Sequence, residues 1–359
     1  MNILFVTAHP AQVHHFNALR IEMEKQGHHT YWLATNKDIS QYLLRYYGIT
    51  YQLLLRPDKS LLSKVKVFIQ NFKLTYSVIK SEKIDFVVSR IYPPSVLAAF
   101  VRRIPQVGIS DTEITGIYNT IFSKFVNAVV TGYSFRTNLV KNQIRFKGNV
   151  ELFYLHPNRF IPNYPGSVLG IGQGERYAVI RFVSWDAYHD AGLAGGFSDE
   201  NKIKLAAELS KYVKVFISSE KQLPSQLEPY RISIPLEKMH HVLAYADLFI
   251  GESATMASES VVLGTPAIYI DEIGRGYTDQ EAQCGLLFMF SPQEQNAAIE
   301  KAVEILSPEF DRAAYKRKYE DYMSAQIDPT AWMAWFISNF PESKAKMINE
   351  PKSQNVFQV

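Results

Sequence analysis

The chain has 359 residues and a mass of 41.0 kDa, which is long for one hydrophobic core and predicts two domains. Hydrophobic residues make up 47% and charged residues 20% of it, a globular composition that excludes disorder along most of the chain. The formal net charge of +3 and the lack of a basic arm or known nucleic-acid motif argue against nucleic-acid binding.

A single cysteine, Cys284, rules out an internal disulfide, and the amino terminus does not show the charged and then apolar order of a signal peptide. No uninterrupted apolar run reaches the roughly 20 residues that span a bilayer. We therefore expect a cytoplasmic protein, with any membrane contact made peripherally at the inner face of the membrane.

From the amino terminus, short apolar runs alternate with longer amphipathic ones. The first set predicts strands over 3–7, 30–34, 51–55, 85–89, 107–110 and 128–131 and helices over 12–25, 38–47, 61–81 and 94–102. The second set predicts strands over 177–182, 213–218, 248–251, 267–270 and 286–290 and helices over 200–212, 236–246, 256–263 and 292–306. Apolar runs without polar alternation are typical of strands covered on both faces. We predict an α/β fold with two doubly wound, Rossmann-like parallel sheets.

Prolines and glycines accumulate between residues 145 and 176, where the alternation of strands and helices weakens. The predicted organisation is a domain 1–160, a linker 161–176, a domain 177–328, a carboxyl-terminal helix 329–343 and a disordered polar tail 344–359. Open parallel sheets bind ligands at the carboxyl ends of their strands, so we expect the site in a cleft between the two domains.

The stretch GESATMASESVVLGTPAIYID, residues 251–271, contains a helix that starts with small and hydroxyl-bearing residues and has one carboxylate a turn inside it. The unpaired N–H groups at such a helix start can bind a phosphate, which Ser253 and Ala254 are small enough to admit. The Thr255 hydroxyl adds a donor, and Glu259 can reach the two hydroxyls of a ribose. The predicted nucleotide-binding residues are Gly251, Ser253, Ala254, Thr255, Met256 and Glu259. A plain capped helix, with Ser253 or Thr255 as the N-cap, fits the same residues and stays open.

Four segments in a fixed order, HPAQVHHF (9–16), SDTEITGIYN (110–119), VIRFVSWDAYH (179–189) and GESATMASESVVLGTPAI (251–268), resemble one protein superfamily. It is the GT-B superfamily, with the MurG-like glycosyltransferases and the UDP-GlcNAc 2-epimerases, and the segments resemble most closely the domain-of-unknown-function 354 family. The resemblance covers nearly the whole chain and implies an acceptor on the amino-terminal domain and a nucleotide sugar, UDP-linked, on the carboxyl-terminal one. Gln12 departs from the family pattern, in which a second histidine is expected.

Three histidines, His9, His14 and His15, follow the first predicted strand. His14 matches the family pattern and is a candidate general base on an acceptor hydroxyl, and His9 is a candidate substrate contact. Ordinary histidines at a helix start are the alternative, and His15 is expected to pack or to face water.

Two carboxylates, Asp111 and Glu113, follow the predicted strand 107–110 and are candidate catalytic groups. In the 2-epimerases this place carries His-x-Glu-Ala-Gly, and Glu113 is the nearest equivalent of its acidic residue. The continuation Ile-Thr-Gly at 114–116 departs from that pattern, which weakens the epimerase interpretation. Capping of a helix by Asp111 or Thr112 is the alternative.

Arg181 lies in an apolar strand, where a charge needs a partner or a place at the strand's end. It can neutralise a departing diphosphate, and the alternative is a structural ion pair. Tyr188, in the following loop, is a candidate contact to the base or the sugar. No DxD, HExxH or Cys/His cluster occurs, so we expect no metal and no cofactor besides the donor substrate.

The stretch 59–83, from Lys59 to Lys83, holds six lysines and a single acid, Glu82, among apolar residues. A basic amphipathic helix can lie on an anionic bilayer, which would suit a lipid-linked acceptor, and a core-facing helix with a solvated lysine face is the alternative.

The sequence therefore predicts a metal-independent GT-B glycosyltransferase that uses a nucleotide sugar and a saccharide or lipid-linked acceptor in surface polysaccharide or glycolipid biosynthesis. A UDP-GlcNAc 2-epimerase-like enzyme and a non-catalytic nucleotide-sugar-binding protein are the alternatives.

Overall fold

The computed structural model describes residues 1–113, 120–141, 143–183 and 196–358. It divides into two compact units. Unit 1 consists of Met1–Arg159 and Gln326–Val359, and unit 2 consists of Phe160–Ala325.

Strands and helices alternate through both units. The strands are β1 (Asn2–Thr7), β2 (His29–Thr35), β3 (Gln52–Leu54), β4 (Phe86–Ser89), β5 (Gln106–Ser110), β6 (Ala128–Gly132), β7 (Ile144–Phe146), β8 (Tyr177–Phe182), β9 (Lys214–Ser219), β10 (Leu248–Gly251), β11 (Ala267–Ile270) and β12 (Leu287–Phe290). The helices are α1 (Pro10–Lys25), α2 (Asp38–Tyr46), α3 (Leu61–Ser81), α4 (Pro93–Val101), α5 (Leu152–Leu155), α6 (Gly166–Leu169), α7 (Asp199–Leu209), α8 (Met239–Ala244), α9 (Ala254–Val262), α10 (Gly276–Gln283), α11 (Gln295–Leu306), α12 (Arg312–Ser324), α13 (Pro329–Ser338) and α14 (Glu342–Asn349).

Each unit contains one parallel sheet. Unit 1 has the strand order β3-β2-β1-β4-β5-β6-β7, and unit 2 has the order β12-β11-β10-β8-β9. The order reverses between β1 and β4 in unit 1 and between β8 and β10 in unit 2. The prediction of two doubly wound α/β sheets is confirmed, and the carboxyl ends of strands at these reversals are the places where such sheets bind ligands.

The strands of unit 2 are continuous apolar runs in the sequence because both faces of their sheet are covered. Along β8, Ala178, Ile180 and Phe182 pack into a core on one face of the sheet, and Tyr177 and Val179 pack into a second core on the other face. Because alternate side chains enter two different cores, both faces of the strand are covered, and its one polar residue, Arg181, lies near the carboxyl end.

The carboxyl-terminal segment is ordered as far as residue 358, the last one described, which corrects the predicted disordered tail 344–359. Helix α13 packs on α1 within unit 1, and α14 is followed by a 3-10 segment, Pro351–Phe357. The side-chain amide of Gln354 accepts a hydrogen bond from the Lys147 backbone N–H at 2.8 Å and donates one to the Arg145 carbonyl at 3.3 Å. These bonds satisfy backbone groups in and directly after the edge strand β7, and the Phe357 carbonyl accepts a further bond from the Asp328 backbone N–H at 2.8 Å.

The predicted linker 161–176 belongs to unit 2, because the boundary between the units falls after Arg159. Ile171 from this segment lies in a core of unit 2, and the Asn163 backbone N–H donates to His241 Nδ1 at 3.0 Å. In the part of the chain that the structure describes, no helix has the length and apolar character needed to cross a membrane.

Candidate functional site

Gly251 ends β10 at the strand reversal of unit 2, directly beside Arg181 of β8. A Cβ atom added to Gly251 would lie 2.5 Å from the Arg181 carbonyl oxygen and 2.8 Å from the Arg181 Cβ. Only glycine therefore fits at this position, and it lets the two strands approach at the point where the next helix begins.

Helix α9 begins at the predicted phosphate site. Ser253 is the N-cap, with an extended backbone, and its Oγ accepts a hydrogen bond from the Met256 backbone N–H at 3.3 Å. Ala254, Thr255 and Met256 form a half-buried first turn. The arrangement agrees with the capped-helix alternative, and it also presents the small residues and helix start on which the phosphate prediction rests.

Glu259 lies one turn inside α9 and is buried, with a side chain that is 7% exposed. Its Oε1 accepts a hydrogen bond from Nε2 of His240 on α8, at 3.0 Å. His240 is not among the predicted site residues, because nothing in the run MHHVLA shows which helix its side chain will face.

Glu252, which sequence reasoning also passed over, is a buried carboxylate directly after β10. Its Oε2 accepts from the Val183 backbone N–H at 2.9 Å, and its Oε1 accepts from the Phe197 backbone N–H at 2.7 Å. These two residues flank the segment 184–195, which lies outside the described residues and contains the predicted contact Tyr188. Glu252 thus joins both borders of that segment to the end of β10.

The Arg181 guanidinium bonds to two neighbours, Ser218 on the adjacent strand β9 and Glu220 directly after that strand. Nη1 donates to Ser218 Oγ at 2.8 Å, and Nη2 forms an ion pair with Glu220 at 2.5 Å. This agrees with the alternative of a structural ion pair. A role for Arg181 in neutralising a diphosphate stays a prediction.

In unit 1, His9 is the N-cap of α1, and Gln12 completes a capping box with it. The Gln12 side-chain oxygen accepts from the backbone N–H groups of Ala8 at 2.6 Å and His9 at 3.3 Å. The departure of Gln12 from the family pattern therefore has a structural explanation, since a glutamine at the N3 position of a helix satisfies N–H groups that have no helical acceptor.

His14 and His15, further along α1, both stack on Tyr154 of α5. The ring centroids lie 5.5 Å apart for His14 and 5.1 Å apart for His15. His14 Nδ1 lies 2.8 Å from the Tyr47 hydroxyl, and His15 is buried, as expected for a packing role.

Asp111, after β5, forms an ion pair with Arg90, which follows β4. Arg90 also contacts His15 Nδ1 through Nη1 at 3.2 Å, and the Thr112 hydroxyl donates to Asp111 at 2.8 Å. A polar chain thus connects the carboxyl ends of β4 and β5 with α1. Sequence reasoning missed Arg90, whose only local signal is its place directly after an apolar strand.

Glu113, the second predicted carboxylate, accepts a hydrogen bond from the Arg136 backbone N–H at 3.2 Å, in the loop after β6. The continuation 114–119 lies outside the described residues. Among the described residues, no group of three or more His, Cys, Asp or Glu side chains is placed to hold a metal ion.

No protein-family model matches the chain. A curated relative from Baumannia cicadellinicola subsp. Homalodisca coagulata is 26% identical over 288 residues, which cover 74% of this chain and 76% of the relative. That relative is the UDP-N-acetylglucosamine–N-acetylmuramyl-(pentapeptide) pyrophosphoryl-undecaprenol N-acetylglucosamine transferase.

Two kinds of solved structure are similar to this one. MurG of Acinetobacter baumannii has a TM-score of 0.62 and 14% identity, with 94% of this chain and 99% of that chain covered. The UDP-GlcNAc 2-epimerase of Neisseria meningitidis, bound to UDP-GlcNAc, has a TM-score of 0.65 and 14% identity, with 96% of this chain and 100% of that chain covered. The chain therefore has the GT-B fold, with two Rossmann-like units.

Proposed function

We propose that this protein is a glycosyltransferase that transfers a sugar from a nucleotide donor during surface polysaccharide or glycolipid biosynthesis. The observation that carries the proposal is the arrangement at the end of β10, at the strand reversal of unit 2. There Gly251 is followed by the start of α9, and the buried Glu259 lies one turn inside that helix. The transferase relative and the GT-B fold support it. UDP is the proposed nucleotide, because the names of the relatives specify UDP sugars.

In the proposed reaction, an acceptor hydroxyl attacks the anomeric carbon of the donor and the bond to the diphosphate breaks. The helix start at Ser253 and the Arg181 guanidinium stabilise the negative charge on the departing diphosphate, and Glu259 binds the ribose. Asp111, Glu113 or His14 takes the proton of the acceptor. These groups supply the charge and the base, so we propose that neither a metal nor a cofactor is required.

A 2-epimerase reaction is the second candidate, favoured by the similarity to the epimerase structures. There, Asp111 and Glu113 would move protons or assist the departure of UDP without an acceptor. A non-catalytic nucleotide-sugar-binding protein is the third. We also propose kinship with the domain-of-unknown-function 354 family, on the four segments in which the sequence resembles it.

Proton NMR of the purified protein with a panel of nucleotide sugars in D2O separates these functions. We expect saturation transfer to one UDP sugar, with the signal of its sugar C2 proton retained. Loss of that signal by exchange with solvent would identify an epimerase. Binding without turnover in the presence of a range of saccharide and lipid-linked acceptors would favour the non-catalytic protein, and absence of binding to every donor would contradict the proposal.

We further propose that α3 lies on an anionic bilayer, at the inner face of the membrane. Leu61, Val65 and Ile69 share one helix face because they are four residues apart, and with Leu62 they are 47–84% exposed. Lys64 and Lys66 are exposed along the same helix. Apolar side chains flanked by lysines match a bilayer with acidic headgroups.

A cavity of about 530 Å³ adjoins this helix, and it is suited to an apolar segment of the proposed lipid-linked acceptor. It is lined by Pro57, Lys64, Val65, Val67, Phe68, Tyr92 and Pro94. A membrane-embedded, lipid-linked acceptor would then reach the enzyme at the surface that carries α3.

Replacing Leu61 and Leu62 together by Ser is expected to lower cosedimentation with phosphatidylglycerol-containing vesicles at least about tenfold, because two Leu side chains no longer enter the lipid. Raising the salt concentration is expected to weaken binding by the unchanged protein. The control Ile161→Ser removes a 79% exposed apolar side chain from unit 2 and is expected to leave binding unchanged. Equal binding by the double variant would contradict the membrane contact.

A further inference from the structure

The contact between His240 and Glu259 joins two helices of unit 2 beneath the proposed nucleotide site. Both side chains are nearly buried, 10% exposed for His240 and 7% for Glu259. A carboxylate accepts hydrogen bonds and donates none, so His240 Nε2 is the donor across the 3.0 Å contact to Oε1. A buried carboxylate needs such a donor, because it has lost the hydrogen bonds of water.

The helix that carries His240 is itself held in place. The Tyr177 hydroxyl of β8 donates to the Val242 carbonyl at 2.7 Å, and the Thr265 hydroxyl donates to the Leu243 carbonyl at 2.7 Å. Thr265 belongs to the Gly-Thr-Pro turn that ends α9, so the same motif anchors α8. The backbone of α8, which carries His240, is therefore held by bonds to the sheet and to the segment after α9 that do not involve Glu259.

A fixed hydrogen-bond donor lowers the entropy cost of ordering the Glu259 side chain when a ligand binds. A glutamate side chain has several rotatable bonds, and ordering it only when a ligand binds would cost conformational entropy. When one oxygen is held by His240, the plane and direction of the carboxylate are set before the ligand arrives. Preorganised groups of this kind bind a vicinal diol more tightly than mobile ones.

We propose that His240 is the positioning residue that orients Glu259 toward the ribose diol of the donor, and that this contact makes the site selective for ribonucleotides over 2′-deoxyribonucleotides. The inference rests on the proposed binding of the ribose by Glu259. It adds a residue on α8 that determines the selectivity of that site.

Two substitutions of similar length separate the hydrogen bond from the packing. His240→Met fills the space without a donor, and His240→Gln retains a donor. Isothermal titration with UDP and 2′-deoxy-UDP measures the affinity ratio in each variant. The neighbouring His241, whose Nδ1 accepts from the Asn163 backbone N–H, provides the control His241→Met.

We expect the unchanged protein to prefer UDP over 2′-deoxy-UDP by about tenfold or more, the difference that one hydrogen bond to a charged group can make. His240→Met is expected to weaken UDP binding by about tenfold and 2′-deoxy-UDP binding by about threefold or less, because the deoxy ligand offers Glu259 only its 3′-hydroxyl, so that the preference narrows. His240→Gln is expected to restore most of the preference, and His241→Met to leave it unchanged.

The possible results separate the positioning role of His240 from the proposed binding of the ribose by Glu259. If the unchanged protein binds UDP without preferring it to the deoxy form, the placement of the ribose at Glu259 is overturned, and the role of His240 with it. If the unchanged protein prefers UDP but His240→Met weakens both ligands equally, the ribose site stands and the positioning role is overturned. If the His240→Met protein does not fold, His240→Gln and Glu259→Gln are measured instead. A Glu259→Gln protein that keeps the full preference for UDP over 2′-deoxy-UDP would overturn the inference.

Discussion

Replacing Glu113 by Gln is expected to lower kcat about 10²–10⁴-fold while the affinity for the donor changes less than about twofold, as for loss of a general base. The amide retains the size of the carboxylate and an oxygen that can accept the hydrogen bond from the Arg136 backbone N–H. The fold around the site should therefore survive, and the basic oxygen should be lost. Steady-state turnover of the donor identified by NMR measures kcat, and titration measures affinity.

The matched control for this change is Glu342→Gln, an equal loss of charge at the exposed start of α14. It is expected to leave turnover unchanged. Full turnover by Glu113→Gln would remove this residue from the mechanism and leave Asp111 or His14 as the base. A fall in donor affinity that matches the fall in turnover would instead assign Glu113 to substrate binding.

The fold followed from the sequence because parallel strands covered on both faces are continuous apolar runs. The runs at 3–7 and 248–251 correspond to β1 and β10 and lie at the strand reversals. Since ligand sites of such sheets lie at the carboxyl ends of strands, the pattern also indicated His9, Gly251 and Ser253 as residues near a site.

The contacts within the candidate site could not be predicted in the same way. His240 meets Glu259 across two helices, Arg90 meets Asp111 across two strands, and Glu252 accepts from an N–H group 69 residues away. Each contact depends on the register between elements and on the direction of a side chain, and a single sequence specifies neither directly. Local patterns locate the ends of the elements, and the tertiary packing selects their partners.

The carboxyl-terminal segment is a case in which the amino-acid composition predicted disorder and the prediction was wrong. Residues 344–359 are mostly polar and offer few apolar anchors, Met347 being one of them. Its described part, 344–358, is held by other elements of unit 1: Gln354 bonds to backbone groups at the edge strand β7, and the Phe357 ring lies 5.8 Å from that of Trp335 on α13, measured between centroids. The composition of the tail alone does not reveal these contacts, because the groups that need partners belong to other elements.

Replacing Trp332 by Ala is expected to lower the free energy of unfolding of unit 1 by about 3–5 kcal/mol, the usual cost of removing a buried Trp. Trp332, on α13, is fully buried. Its ring lies 5.8 Å from that of Phe146 on β7 and 5.4 Å from that of Phe336, measured between centroids. The substitution would leave a large cavity between the carboxyl-terminal segment and the sheet. Urea denaturation, with hydrogen exchange of β1 and β7 amides to identify unit 1, measures the loss.

The control Trp332→Phe retains an aromatic ring between Phe146 and Phe336. Within the described residues the buried indole N–H has no hydrogen-bond partner, so its removal relieves a desolvation cost that offsets part of the lost packing. We expect the Phe variant to lose much less stability than the Ala variant. A loss below about 1 kcal/mol for Trp332→Ala would mean that the carboxyl-terminal segment is only loosely attached. A loss of the expected size would show that α13 contributes strongly to the stability of unit 1, and truncation after residue 325 would then be expected to destabilise its sheet by at least as much.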